Sequence, residues 1–266
     1  LKKEHDVQVL SWKRQYPFFA VKEQMQKDAP KFEGAEFLLH YANPFSWKNA
    51  VNKIKEFKSE IVIIPWLTPL ASPVYTPLMR MVKKSGVKTV ALCHNVLPHE
   101  KTRMDRGLSR MFFSQIDEAI VHSVEDEKRL KEIKNEVKVK KAFHPLYEDY
   151  TLEKEPVVLK ELDKPYILFF GFIRPYKGLK YLLKAMPIIL EEVDRYLLIA
   201  GEFWENEREY LDLIKELKIQ NKIKLVASYI PRDEVGAYFK NAEVVILPYV
   251  SGTQSGIIQT AYHFNK

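Results

Sequence analysis

The chain has 266 residues, a formal net charge of +7 at pH 7 and a sequence pI of about 9.1. Because 46% of its residues are hydrophobic and 12% are aromatic, it can fill the cores of two globular domains. Its single cysteine, Cys93, excludes an intrachain disulfide framework and disfavours a cysteine-based metal cluster, and its apolar runs are too short for a membrane-spanning helix.

Short apolar runs alternate with helical patterns in the first half of the chain. The predicted strands are 7–11, 37–40, 61–64, 89–93, 119–122 and 137–143. The predicted helices are 47–57, 73–84, 101–116 and 124–133. The β-branched run 61–64 predicts a strand that is buried on both of its faces.

The second half repeats this rhythm after an aperiodic, polar stretch. Its predicted strands are 166–170, 196–200, 223–226 and 244–247, and its predicted helices are 179–193, 207–217, 232–240 and 256–264. Strands that alternate with helices predict parallel sheets built from βαβ units. We therefore expect an α/β protein with two Rossmann-like domains, at 1–147 and 164–266, joined by a linker at 148–163.

Three loops that directly follow predicted strands of the second domain are the strongest candidates for a binding site: 171–178, 201–205 and 248–256. The first contains two glycines and two cations, Arg174 and Lys177, and leads into a helix. Glycines let backbone N–H groups approach an anion, and the start of a helix adds a positive dipole end. The pattern predicts a phosphate site, and the alternative is an ordinary strand-to-helix turn with exposed cations.

The motifs of this chain resemble those of glycosyltransferase family 4, a retaining family with the GT-B fold. The family pattern G-R-x-x-x-x-K-G is similar to 171–178, and further similarities are found at 200–202, at 241–248 and at His94-Asn95. The chain departs from the pattern at Phe172, where the family has arginine, and in the last loop and helix, where two family glutamates are absent. The resemblance also implies segments before residue 1 and after residue 266, so we expect a chain that is truncated at both ends.

The resemblance implies transfer of a sugar, of the hexosyltransferase type, from a nucleotide-diphosphate sugar to a saccharide, lipid or small-molecule acceptor. It implies no metal and no other cofactor, and the scattered histidines likewise predict no metal site. Lys177, Arg174 and His94 are the expected catalytic residues, the two cations acting on the leaving diphosphate. The expected donor-binding residues are Gly171, Gly178, Gly201, Glu202, Tyr249, Thr253, Ser255, Gly256 and Thr260. His99 and Glu100 are expected on the acceptor side.

Alternatives remain open at several positions. His94 can instead be a turn residue, His99 and Glu100 can be surface residues, and Tyr249 can belong to the core. The competing functions are a basic nucleic-acid-binding α/β protein and a GT-B nucleotide-sugar epimerase. The basic run 134–141 fits an edge strand with solvated lysines better than a nucleic-acid surface, so we expect no nucleic-acid partner.

The polar start of the chain is unlike a signal peptide, and with the single cysteine it predicts a cytoplasmic protein. The basic and aromatic segment 12–19 suits either a loop that packs into the core or peripheral contact with the inner face of a membrane.

Overall fold

The computed structural model describes residues 4–15, 34–98, 102, 104–144, 150, 154–252 and 255–266. The chain divides into two compact units, Leu1–Phe143 (unit 1) and His144–Lys266 (unit 2). Each unit has its own parallel β-structure and its own apolar core.

The described part of unit 1 consists of strands that are connected by helices. The strands are β1 (Val9–Arg14), β2 (Ala35–His40), β3 (Ile61–Trp66), β4 (Lys88–Cys93), β5 (Glu118–Val121) and β6 (Lys138–Lys141). The helices are α1 (Pro44–Glu56), α2 (Ser72–Lys84), α3 (Asp105–Phe113) and α4 (Val124–Ile133). β1 and β2 form a two-stranded parallel sheet, and β3, β4, β5 and β6 form a second parallel sheet in that order.

Aromatic rings stack within the core of unit 1. Trp66 at the end of β3 is fully buried and stacks on Phe112 of α3, with ring centroids 4.2 Å apart. Trp12, from the segment 12–19, is partly buried against this core and stacks on Tyr75 of α2, which favours the core-packing interpretation for this residue. Residues 16–19 of that segment lie outside the described residues. Cys93 is fully buried in the same core.

The prediction that 61–64 is buried on both faces is wrong. Ile61 and Ile63 are 50% and 47% exposed, whereas Ile64 and Trp66 on the other face are buried. The physical reason is that β3 lies at an edge of its sheet among the described strands, and only alternate side chains face the core. The helix predicted at 101–116 is also shorter, because α3 ends at Phe113 and a turn at 114–117 leads into β5.

The basic run near the end of unit 1 has the structure expected of an edge strand. Among the described strands β6 pairs only with β5, and its three lysines, Lys138, Lys140 and Lys141, are exposed. The interpretation of these lysines as solvated edge residues is confirmed.

Unit 2 contains a four-stranded parallel sheet in the order β10-β7-β8-β9. The strands are β7 (Tyr166–Phe170), β8 (Tyr196–Ala200), β9 (Ile223–Val226) and β10 (Val244–Val245). The helices are α5 (Val157–Lys160), α6 (Leu179–Glu192), α7 (Glu207–Glu216), α8 (Arg232–Asn241) and α9 (Gly256–His263). The single-turn α5 lies where the sequence predicted a linker, and its Leu159 is buried in the core of the unit.

β7 is the central strand on which the site depends. All five of its residues are buried, with Ile167 and Phe169 in one apolar cluster and Leu168 and Phe170 in another. Such a strand is covered on both faces, so the chain can leave it for the surface only at its two ends. The predicted α/β class with parallel sheets is confirmed in both units. None of the described helices has the length and apolar character needed to cross a membrane.

Candidate functional site

The candidate site lies at the carboxyl end of the sheet of unit 2, where the loops after β7, β8 and β10 meet. The loop after β7 starts at Gly171, whose N–H donates to the carbonyl of Ala200 at 2.9 Å. The N–H of Ile173 donates to the carbonyl of Glu202 at 2.9 Å, and the N–H of Trp204 donates back to the carbonyl of Ile173 at 3.0 Å. These bonds continue the parallel pairing of β7 and β8 beyond the sheet and fix the first two loops to each other.

Glycines allow these loops to approach one another closely. A Cβ atom on Gly178, which has a φ of +73°, would lie only 1.9 Å from the carbonyl oxygen of Pro248 in the third loop. A Cβ atom on Gly201 would lie 2.1 Å from the carbonyl oxygen of Gly171. Since both neighbours are backbone atoms, a side chain at either position would have to separate the loops.

Lys177 is a buried cation at the centre of this arrangement. It closes a single 3-10 turn, Pro175–Lys177, and is 7% exposed. In the part of the chain that the structure describes, no carboxylate forms a salt bridge with its ammonium group. Burial, together with the nearby charge of Arg174, lowers the pKa of Lys177 to about 8. A buried ammonium without a carboxylate partner is costly, and an anionic ligand is the natural counter-charge.

The start of α9 lies next to this lysine. A Cβ atom on Gly171, which has a φ of +93°, would lie 2.8 Å from Nζ of Lys177 and 3.7 Å from Cδ1 of Ile257 in the first turn of α9. The Ser255 side chain caps this helix by accepting a hydrogen bond from the N–H of Ile257 at 3.3 Å. A cation and a helix N-terminus therefore converge beside a residue that has no side chain, and this combination favours binding of phosphate groups.

Both cations of the site lie near aromatic rings. The guanidinium carbon of Arg174 lies 4.3 Å from the ring centroid of Trp204 in the loop after β8. Nζ of Lys177 lies 5.9 Å from the ring centroid of Tyr249. Burial raises the pKa of Tyr249 to about 12, so its hydroxyl, which is 3.4 Å from Oγ of Ser255, remains protonated at neutral pH.

Most of the predicted donor-binding residues lie on these three loops and at the start of α9. They are Gly171, Gly178, Gly201, Glu202, Tyr249, Ser255 and Gly256, together with the cations Arg174 and Lys177. Glu202 is buried at 7% exposure directly after Gly201. Thr260 is also buried, but its hydroxyl donates to the carbonyl of Gly256 at 3.0 Å, which gives it a structural contact inside α9. Thr253, His99 and Glu100 lie outside the described residues.

His94 belongs to unit 1, where it follows β4. Its N–H donates to the carbonyl of Trp66 at 3.1 Å, and its ring centroid is 6.0 Å from that of His122, which follows β5. The loop that contains His94 is attached to α4 by Asp126, a fully buried carboxylate that accepts hydrogen bonds from the N–H of Val96 and from the hydroxyl of Ser123.

Sequence reasoning missed the structural roles of Asp126 and Trp204. The spacing Ser123-x-x-Asp126 at the start of a helix is a capping signal that could have identified the carboxylate. No local pattern marks Trp204, because its contact with Arg174 depends on the pairing of two loops that are about 30 residues apart in sequence. Among the described residues, no three His, Cys, Asp or Glu side chains come together as metal ligands would.

Comparison with known proteins links this site to one family. Residues 151–255 match the family model described as Glycosyl transferases group 1. An uncharacterized glycosyltransferase of Methanocaldococcus jannaschii, MJ1607, is 37% identical over 89 residues, which are 33% of this chain and 22% of that protein. The matched part of the chain therefore spans about a fifth of that relative.

Solved structures show the same fold at low sequence identity. A glycosyltransferase from Rickettsia africae superimposes with a TM-score of 0.59 and 18% identity over 87% of this chain and 63% of that chain. The catalytic domain of starch synthase IV from Arabidopsis thaliana, bound to ADP and acarbose, superimposes with a TM-score of 0.59 and 13% identity over 83% of this chain and 58% of that chain. The expected GT-B fold class is thereby confirmed, and residues 151–255 are similar to the glycosyl transferases of group 1.

Proposed function

We propose that this protein is a glycosyltransferase that transfers a sugar from a nucleotide-diphosphate donor to a saccharide or lipid acceptor. The observation that carries the proposal is the buried ammonium of Lys177, which has no carboxylate partner among the described residues and lies beside Gly171 and the first turn of α9. A nucleoside diphosphate would supply the negative charge that balances the ammonium group of Lys177. The ADP in the starch synthase IV structure is a ligand of this chemical class.

In the proposed mechanism the bond between the sugar and the diphosphate breaks, and negative charge builds on the departing phosphate oxygens. A hydroxyl oxygen of the acceptor bonds to the sugar carbon, and its proton passes to the departing diphosphate. Lys177 and Arg174 provide fixed positive charge at this point, and the start of α9 provides N–H dipoles. Because these groups are already in place, the reaction needs no reorganisation of solvent around the leaving group, and a metal ion is not required for charge neutralisation. We further propose that the anomeric configuration of the sugar is retained, and the basis for this is the family resemblance.

The acceptor side is assigned to unit 1, with His94 after β4 and with His99 and Glu100. The alternative function, nucleic-acid binding, finds no support in β6, whose exposed lysines lie on an edge strand. Cytoplasmic localisation, with peripheral contact to the inner face of a membrane, remains part of the proposal and follows from the sequence alone.

Ligand-induced stabilisation tests the proposal directly. The 266-residue chain is heated with UDP, GDP, ADP or inorganic pyrophosphate, and in parallel with a single-stranded oligonucleotide. A ligand at 100 times its dissociation constant adds about 2.7 kcal/mol to the free energy of unfolding, so at least one nucleoside diphosphate should raise the melting temperature by several degrees. Stabilisation by the oligonucleotide alone would refute the proposal. Conversion of a nucleotide sugar into its epimer, without transfer to an acceptor, would favour the epimerase alternative.

A further inference from the structure

Trp204 is an exposed aromatic residue without a role in the core. Its side chain is 43% exposed, and the buried apolar clusters of unit 2 do not include it. Its ring instead contacts two residues of the loop after β7. The ring of Phe172 lies 5.1 Å away between centroids, and the guanidinium carbon of Arg174 lies 4.3 Å from the Trp204 centroid.

The backbone holds this ring at a fixed place. The N–H of Trp204 donates to the carbonyl of Ile173, the residue between Phe172 and Arg174, and Phe203 pairs with Ile173 as an isolated parallel bridge. Phe172 in turn lies 6.3 Å from Tyr229 in the loop after β9. The backbone of Trp204 is therefore anchored to the loop after β7, and its ring lies against the Phe172 ring and the guanidinium of Arg174.

An arginine side chain has several rotatable bonds, and holding it in one place has an entropic cost. A tryptophan face is the aromatic surface that attracts a cation most strongly. The charge of Arg174 also acts on Lys177, because it contributes to the lowered pKa of that lysine. Arg174 therefore contacts the Trp204 ring and lies near enough to Lys177 for its charge to lower the pKa of that lysine.

We propose that Trp204 is a positioning residue that holds the guanidinium of Arg174 toward the diphosphate of the donor. This inference rests on the proposed function and deepens it. In this chain the residue directly after Gly171 is Phe172, and the arginine of the loop, Arg174, follows the glycine by three residues. Trp204 restrains the side chain from that position.

A double-mutant cycle tests the inference, with the dissociation constant of the best-binding nucleoside diphosphate measured by calorimetry. Trp204→Leu should weaken binding about three- to tenfold, and Trp204→Phe should weaken it less because a ring face is kept. Arg174→Ala should weaken binding at least as much as Trp204→Leu. If Trp204 acts through Arg174, the double variant should bind no more weakly than Arg174→Ala alone.

Tyr181→Leu is the matched control, since Tyr181 is a 63% exposed aromatic residue on α6 and should leave affinity unchanged. Melting temperatures of the ligand-free variants separate positioning from folding, because a surface ring of this kind should change them little. Unchanged affinity in Trp204→Leu, or additive losses in the double variant, overturns the inference while leaving the proposed function intact. If the unmodified chain binds none of the nucleoside diphosphates, the proposed function itself fails.

Discussion

Replacing Lys177 by methionine should stabilise the protein while weakening its proposed ligand site. Methionine is unbranched, flexible and apolar, so it can occupy much of the buried space of the lysine side chain. Burial lowers the pKa of Lys177 from 10.5 to about 8, and each pKa unit corresponds to about 1.4 kcal/mol, so keeping the group charged costs the folded state about 3 kcal/mol at neutral pH. We expect Lys177→Met to raise the free energy of unfolding by about 1–3 kcal/mol.

The pH dependence of this gain follows from the sign of the shift. Between pH 8 and 10.5 the unfolded chain keeps the proton on this lysine while the folded chain releases it, so the stability of the unmodified protein rises through that range. The stabilisation by Lys177→Met should therefore be largest below pH 8 and should disappear as the pH approaches 10.5.

Lys177→Met should weaken ligand binding although it stabilises the fold. A charge-assisted hydrogen bond contributes about 1.5–3 kcal/mol, so Lys177→Met should weaken nucleoside diphosphate binding about 10- to 100-fold. In the unmodified protein the affinity should also fall above pH 8, because the free lysine loses its proton there, whereas the affinity of the variant should lack this pH dependence.

Urea unfolding at pH 7 and pH 10 measures the stability change, and calorimetry measures the affinity. Lys184→Met, on the exposed surface of α6, is the matched control and should change neither quantity appreciably. A variant that is less stable than the unmodified protein at pH 7, or one that binds nucleoside diphosphates with unchanged affinity, would refute the reasoning from burial and charge.

The remaining predictions concern backbone approach and a buried carboxylate. Gly178→Ala should lower the free energy of unfolding by about 3 kcal/mol or more, because its Cβ would lie 1.9 Å from the carbonyl oxygen of Pro248. Gly86→Ala, at a φ of +82° with open space around it, should lower it by only about 1–2 kcal/mol through backbone strain. Equal losses for the two variants in urea unfolding would contradict the close approach. Gly171→Ala should reduce nucleoside diphosphate affinity more than Gly86→Ala at a similar loss of stability, because its Cβ would lie 2.8 Å from Nζ of Lys177 and would displace the end of that side chain. Calorimetry at pH 7 measures the two affinities. Asp126→Ala should destabilise unit 1 by about 2–4 kcal/mol, since it leaves the buried N–H of Val96 and the hydroxyl of Ser123 without their carboxylate acceptor. Glu125→Ala on the same turn should cost under about 1 kcal/mol, and similar unfolding midpoints for the two variants would contradict this.

Much of the fold could be predicted because it follows from local patterns. Alternating apolar runs and helical periods predicted the parallel sheets, and the glycines placed a candidate loop directly after β7. Periodicity does not show which strand lies at an edge, and this is why burial of Ile61 and Ile63 was predicted wrongly. Both are β-branched residues, which occur in strands with one covered face as well as in strands with two, so residue type alone does not show their burial.

The candidate site could be predicted only where its residues are close together in sequence. Gly171, Lys177 and Gly178 form one motif, and their meeting needed only the turn between them. The contacts of Lys177 with Tyr249 and of Arg174 with Trp204 depend on the register of separate βα units. Such contacts are decided by how strands pair, which a single sequence does not specify.

The single cysteine has a practical consequence for experiments on this protein. Burial, together with the nearby negative charge of Asp126, raises the pKa of the Cys93 thiol far above its usual range. The reactive thiolate is then practically absent at neutral pH, and alkylating reagents have no access to the sulfur. A fluorophore or spin label attached through Lys184→Cys would therefore report on α6 alone, and the natural thiol would not have to be removed first.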